Sequence, residues 1–168
     1  MNDEKGDVSM DNSKIAIQDL YPDDFAWCFG CGRLNEDGYH FRTCWHDEGT
    51  LSVFEPSVKH MAIAGFVYGG LLASFIDCHG TGSASLFLHR KNGHEPGDGV
   101  EPPRFVTASL HVDYMKPTIQ GVKLKAVGKV EEVHPKKYKV HVKVYAGEEH
   151  VANGEVVAAV MPASFGKK

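Results

Sequence analysis

The sequence lacks the features that would put it in a membrane, a secretory route or a nucleic-acid complex. No apolar run approaches the roughly 20 residues that span a bilayer, and residues 1–14 are polar, without the apolar core of a secretory signal. The expected location is therefore the cytoplasm, where the four cysteines stay reduced. Positive charge is not in excess: 18 Lys and Arg against 22 Asp and Glu leave a net charge of −4, which argues against a general nucleic-acid binder. No internal repeat and no low-complexity tract occurs. No Ser or Cys sits in a Gly-x-Ser-x-Gly elbow, so an α/β-hydrolase mechanism finds no support.

What is present is the balance of a globular chain, 42% hydrophobic and 24% charged over 168 residues, enough for one domain with an ordinary core. Residues 1–14 read as a mobile tail and 15–37 as an N-terminal extension, with a short amphipathic piece at 15–20 and a helical scrap after Tyr21-Pro22-Asp23-Asp24. The main domain then covers 38–163. Strands are expected at 39–46 and 50–54, around the turn Asp47-Glu48-Gly49. The period changes at Gly69: Leu72, Phe75, Ile76, His79, Ser83, Leu86 and Phe87 recur at helical spacing and predict one long helix over 69–88. A loop of Pro, Gly and charge follows over 90–104. Four strands come after it, at 105–115, 122–133, 137–145 and 151–160. In the first of these, Val106, Ala108, Leu110, Val112 and Tyr114 alternate with Thr107, Ser109, His111 and Asp113. An antiparallel sheet wrapped around one helix, an α+β fold, accommodates this order.

The helix carries an acid where its neighbours are small. Around Asp77, at helical steps, stand Gly70, Ala73, Ser74, Gly80, Thr81 and Ala84. Gly80 and Gly82 each cost a helix interior about 1 kcal/mol relative to alanine, which points to close approach of a backbone or a ligand. Asp77 could equally be a hydrogen-bonded structural acid in a tightly packed stripe. At the helix start, Gly69 and Gly70 leave N–H groups free at the positive end of the dipole, an arrangement that stabilises an anion or oxyanion. Asp77 lies about 10 Å along the helix from that end, so a second subunit is needed to bring the two parts together.

The run Gly65-Phe-Val-Tyr68-Gly69-Gly70, followed after six residues by Asp77, resembles the signature of the PaaI-type hotdog thioesterases, usually His-Gly-Gly with an Asp at that spacing. The resemblance extends over about 28–160. It takes in Cys28-Phe-Gly-Cys31-Gly, His60 before the helix, and Thr107-Ala-Ser-Leu-His-Val-Asp-Tyr114 with its Lys116-Pro117 ending. It implies a hotdog fold and a metal-free, cofactor-free hydrolase of acyl-CoA thioesters, working between subunits of a homodimer or homotetramer. By position it makes Asp77 the general base or nucleophile and the Gly70 amide the oxyanion donor. Gly69, His60 and Thr81 stand beside the substrate, and Lys136 and Lys137 stand near the CoA phosphates. Tyr68 replaces the usual His: a phenol donates a hydrogen bond, but with a pKa of about 10 it does not take up a proton near neutrality.

Other readings are weaker. Cys28-x-x-Cys31 with Cys44-x-His46 has the residue types of a zinc site, but Cys44 and His46 fall inside an alternating strand with no second knuckle. A thioredoxin-like dithiol lacks its strand–helix context. His79 lies on another helical face from Asp77 and reads as a core or interface residue. Two further functions compete with hydrolysis: a non-catalytic acyl-CoA-binding hotdog protein, and a hotdog 3-hydroxyacyl dehydratase, which needs the histidine that Tyr68 replaces.

Overall fold

In a computed structural model, residues 14–166 are described; apart from Lys14, the expected tail lies outside them. Short 3-10 turns at Ile17–Leu20 and Asp23–Phe25 lead into β1 (Cys44–His46) and β2 (Gly49–Phe54). The long helix α1 (Gly69–Lys91) follows, and then β3 (Phe105–Tyr114), β4 (Leu124–His134), β5 (Lys137–Ala146) and β6 (Glu149–Val160). The strands form one six-stranded antiparallel sheet in the order β1-β2-β4-β5-β6-β3. With α1 packed on its face, this is the hotdog arrangement that the motif order implied. Among the described residues no helix is long and apolar enough to cross a membrane.

Three expectations change. The strand expected from Tyr39 begins only at Cys44, because His40 has φ of 56°, in the left-handed region where an extended strand cannot continue. The backbone there bonds to the preceding turn instead, Tyr39 N–H to the Phe29 carbonyl and Phe41 N–H to that of Gly30, both at 2.9 Å. The helix also outruns its expected end by three residues, to Lys91. His89, Arg90 and Lys91 complement the dipole of its last turn, and Gly93, at φ 86°, closes it. Third, the alternation in β3 is broken by a bulge between Thr107 and Ser109, where Ala108 is the extra residue.

Helix and sheet touch where side chains are missing. A Cβ on Gly154 would lie 2.3 Å from Ile76, one on Gly80 2.6 Å from Val156, and one on Gly128 2.6 Å from the His79 imidazole. Gly80 and Gly82 of α1 thus admit protein, not ligand: Gly82 faces Gln18 and Thr43. Inward-facing Tyr138, Val140, Val142 and Val144 of β5 complete the core with Leu71, Leu72, Phe75 and Ile76 of α1. The segment before β1 covers the other flank of the helix through Ile17, Tyr21 and Leu86, which is why α1 is buried nearly all round along its second half.

His79 is a core residue. Its Nδ1 lies 2.7 Å from Ser52 Oγ and its Nε2 3.2 Å from Thr50 Oγ1. Ser52 joins Thr43 and Gln18, and Thr50 joins Ser83, in one buried polar network. Burial pushes its pKa down to about 3, so the ring is neutral.

Alanine at position 80 would gain about 1 kcal/mol of helix propensity. Its Cβ, however, would meet the branched Cβ of Val156, which cannot swing aside, at an overpacking cost of about 1–3 kcal/mol. Gly80→Ala is expected to destabilise the fold by about 1 kcal/mol in urea unfolding, and a gain in stability would contradict this packing.

Candidate active site

Asp77 leaves the middle of α1 toward the edge strand β3 and is half-buried. Thr107 donates its hydroxyl to Asp77 Oδ1 at 2.5 Å, leaving the second carboxylate oxygen for another partner. Burial pushes the carboxyl pKa up, the Thr107 hydrogen bond pulls it back, and the Cys28 sulfur pushes it up again. Among the described residues no cationic side chain takes part in this balance. The carboxylate is thus partly desolvated, oriented by one donor and without a counter-ion.

The helix begins at Gly69, behind an extended Tyr68 whose side chain does not cap it. Leu71 N–H bonds to the Tyr68 carbonyl at 3.1 Å, and Tyr68 N–H to the His60 carbonyl at the same distance. Gly70 is exposed. The Tyr68 ring lies over it, so that a Cβ at position 70 would come within 2.4 Å of the ring. Only glycine leaves the first-turn amide and the phenol side by side.

Tyr68 is held by a residue that the sequence did not single out. Its hydroxyl lies 2.5 Å from that of Tyr39, and burial together with this hydrogen bond pushes the Tyr39 pKa up to about 12. Tyr39 stacks on Phe41 and meets Phe29, Phe54 and His60 edge-on. In a phenol pair one hydroxyl donates to the other, so one proton stays available to a third group. His60 belongs to this aromatic cluster, with its Nδ1 accepting from Ser57 N–H at 3.1 Å. Beside Gly69, whose carbonyl accepts from the Tyr114 hydroxyl at 2.7 Å, a cavity of about 380 Å³ opens between Val67, Leu72, Tyr114, Lys116 and Thr118.

Within one chain these parts do not converge. Asp77 meets β3 at Thr107 and Gly69 meets it at Tyr114, near the two ends of the strand. Asp77 does not line the cavity at the helix start. Thr81 turns its hydroxyl to the helix carbonyls of Asp77 and Cys78, both at 3.3 Å, and not to the carboxylate. The backbone accepts the bond because its carbonyls lie one turn back. Lys136 and Lys137 are exposed at the β4–β5 hairpin. Lys137 pairs with Ala159, at the same end of the sheet as Thr107, which pairs with Ala158. Another cavity, of about 600 Å³, is lined by Gly128, His141, Lys143 and Tyr145 and by none of the expected site residues.

Thr107 and Tyr39 were missed as partners of the site. For Thr107 the reason is the bulge. Strict alternation puts Thr107 and Tyr114 on opposite faces of β3, yet both hydrogen-bond α1, because Ala108 shifts the parity between them. Nothing in the residue types signals that extra position. Tyr39 carried no signal beyond its aromatic ring.

The comparisons with known proteins agree with the hotdog fold. The family model described as the thioesterase superfamily matches residues 64–153. A solved thioesterase superfamily protein from Shewanella loihica PV-4 is 44% identical; the match covers 74% of this chain and 93% of that one, at a TM-score of 0.60. The E. coli PaaI protein from the phenylacetic acid degradation operon is 11% identical over 74% of this chain and 81% of its own, at 0.59. A Streptococcus mutans UA159 protein solved bound to acetyl CoA is 18% identical over 72% and 88%, at 0.54. The last two likenesses show the fold alone. No curated protein matches the chain.

Burial raises the Tyr39 pKa most, and the Tyr68 hydroxyl raises it further by hydrogen bonding and by repulsion between the ionised forms, so Tyr68→Phe should lower it from about 12. In a tyrosinate absorbance titration the phenol ionising near 12 should move to lower pH; its persistence there would contradict the pairing.

Proposed function

The chain belongs to the thioesterase superfamily, and on that premise we propose that it hydrolyses the thioester of an acyl-CoA with Asp77 as its catalytic carboxylate. The observation that carries the reading is the half-buried Asp77, hydrogen-bonded by Thr107 and without a counter-ion. A carboxylate in that state is held in place but not neutralised, as a general base or nucleophile requires. The acetyl-CoA bound to the Streptococcus mutans neighbour supports the ligand class.

The thioester carbonyl lies at the start of α1, its oxygen accepting from the Gly70 amide and from the free proton of the Tyr68–Tyr39 pair. Ionised Asp77 uses the oxygen that Thr107 leaves open to take a proton from water, which attacks the carbonyl carbon; direct attack by the carboxylate is the alternative. The C–S bond then breaks, and CoA leaves as the thiol. An amide aimed at the developing oxyanion contributes about 2.7–4 kcal/mol to such a step. Gly69, His60 and Thr81 flank the site, and Lys136 and Lys137 reach toward the CoA phosphates.

The working site is formed by a homodimer. β3 is the edge of the sheet, paired on one side only and exposed along most of its length, including Leu110 and Tyr114. An edge of this kind is a template for strand pairing. If two copies pair β3 antiparallel about a two-fold axis, the Thr107 end of one runs beside the Tyr114 end of the other. Asp77 then faces the partner subunit's Gly70, which removes the separation of about 10 Å along a single helix.

Asp77→Asn should lower thiol release from acyl-CoAs by about 100-fold or more with the melting temperature unchanged. Unchanged turnover would sink the proposal, and saturable ligand binding with no thiol release by the wild type would favour a binding protein. Thr107→Val should lower turnover about tenfold, and Thr107→Ser should retain it, since the hydroxyl is the working group. Mixing inactive Asp77→Asn with Gly70→Ala, whose Cβ displaces the Tyr68 ring, should restore about a quarter of wild-type turnover, because half the dimers then carry one intact site. No recovery in mixed dimers would place both residues in one chain.

A further inference from the structure

Cys78, directly after Asp77 in the sequence, belongs to a group of side chains that hydrolysis does not use. Cys28 and Cys31, from the turn before β1, and Cys78 of α1 bring their Sγ atoms within 4.8 Å of one another. The Cys28 and Cys78 sulfurs are 3.9 Å apart. All three are free thiols, two of them buried and Cys28 partly exposed.

The turn is built around this cluster. Gly32 N–H closes the turn on the Cys28 carbonyl at 2.7 Å. A Cβ on Gly32 would come within 2.4 Å of the Cys28 backbone nitrogen, so the closure requires glycine. A Cβ on Gly30 would lie 2.3 Å from Cys78 Sγ, so Gly30 leaves the room into which the helix sulfur projects.

The spacing suits a thiophilic cation. With metal–sulfur bonds of about 2.3 Å, sulfurs in a tetrahedral site stand about 3.8 Å apart, close to the Cys28–Cys78 separation. Among the described residues no fourth His, Cys, Asp or Glu joins the group, and the partly exposed side at Cys28 leaves the fourth position to solvent. Thiolate ligands select zinc and copper(I) over magnesium or calcium. The sequence paired Cys28 and Cys31 with Cys44 and His46; neither of those stands in the cluster, and its third ligand comes from the helix.

We propose that Cys28, Cys31 and Cys78 form a binding site for one Zn²⁺ ion, which fastens the 28–32 turn to α1. The site is structural. The same turn accepts the backbone bonds of Tyr39 and Phe41, so the ion would also hold the Tyr39 hydroxyl against Tyr68.

The test uses the full-length protein, reduced, stripped with a chelator and titrated with Zn²⁺ against a chromogenic chelator. One equivalent should bind and raise the melting temperature, and Co²⁺ in its place should give sulfur-to-metal charge-transfer absorption. Cys78→Ser and Cys28→Ser should each weaken binding about 100-fold or more, while Cys44→Ser should leave it unchanged. If Cys78→Ser does not fold, as read by circular dichroism, the partly exposed Cys28→Ser decides alone. Binding no tighter in the wild type than in the folded variants, loss of binding in Cys44→Ser, or a Co²⁺ spectrum without thiolate bands would each overturn the site. Acyl-CoA hydrolysis does not enter the measurement, so its presence or absence leaves the result intact.

Discussion

The structure depends on how closely α1 sits on the sheet. Three glycines set that distance: Gly80 on the helix above Val156, Gly154 on β6 beneath Ile76, and Gly128 on β4 beneath His79. A methyl group at any of them would lift the helix locally, since a packed interior yields little. Seated at this depth, the helix brings Asp77 within hydrogen-bond reach of the edge strand β3. A helix interior normally disfavours glycine; here the loss is offset by the contacts that close approach allows.

The edge strand turns that seating into a site. Six strands give the sheet two edges, and β3 forms the one to which Asp77 points. Its bulge at Ala108 lets residues on both sides of it reach the helix, Thr107 at the carboxylate and Tyr114 at the first glycine. The strand thereby ties down both chemically relevant stretches of α1 while the rest of it stays exposed. On the proposed mechanism, acid and amide lie too far apart on one helix to act on one carbonyl, and the proposed dimer, with its two-fold axis through this edge, would unite them.

The N-terminal segment does more than cover the helix. It supplies Gln18 and Thr43 to the polar network around His79, so that a histidine two residues from the acid is neutral and structural. It also supplies Tyr39, whose phenol holds Tyr68 over Gly70. Where the signature that this sequence resembles has a histidine, this chain sets a pair of hydroxyls, which can donate a hydrogen bond but cannot accept a proton near neutrality.

Read alone, the sequence determined the architecture, because alternation of period 2 and recurrence at helical spacing report which face of each element is buried. The helix from Gly69, the four strands after it and the acid among small residues were all legible for that reason, as was the family resemblance in Tyr68-Gly-Gly and Asp77. The short β1, the Ala108 bulge, the Tyr39–Tyr68 pair, the inward turn of Thr81 and the meeting of Cys78 with Cys28 and Cys31 were not. Each depends on a backbone angle, an inserted residue or a contact between segments distant in sequence. One-dimensional patterns record burial, while only tertiary packing decides which buried groups meet.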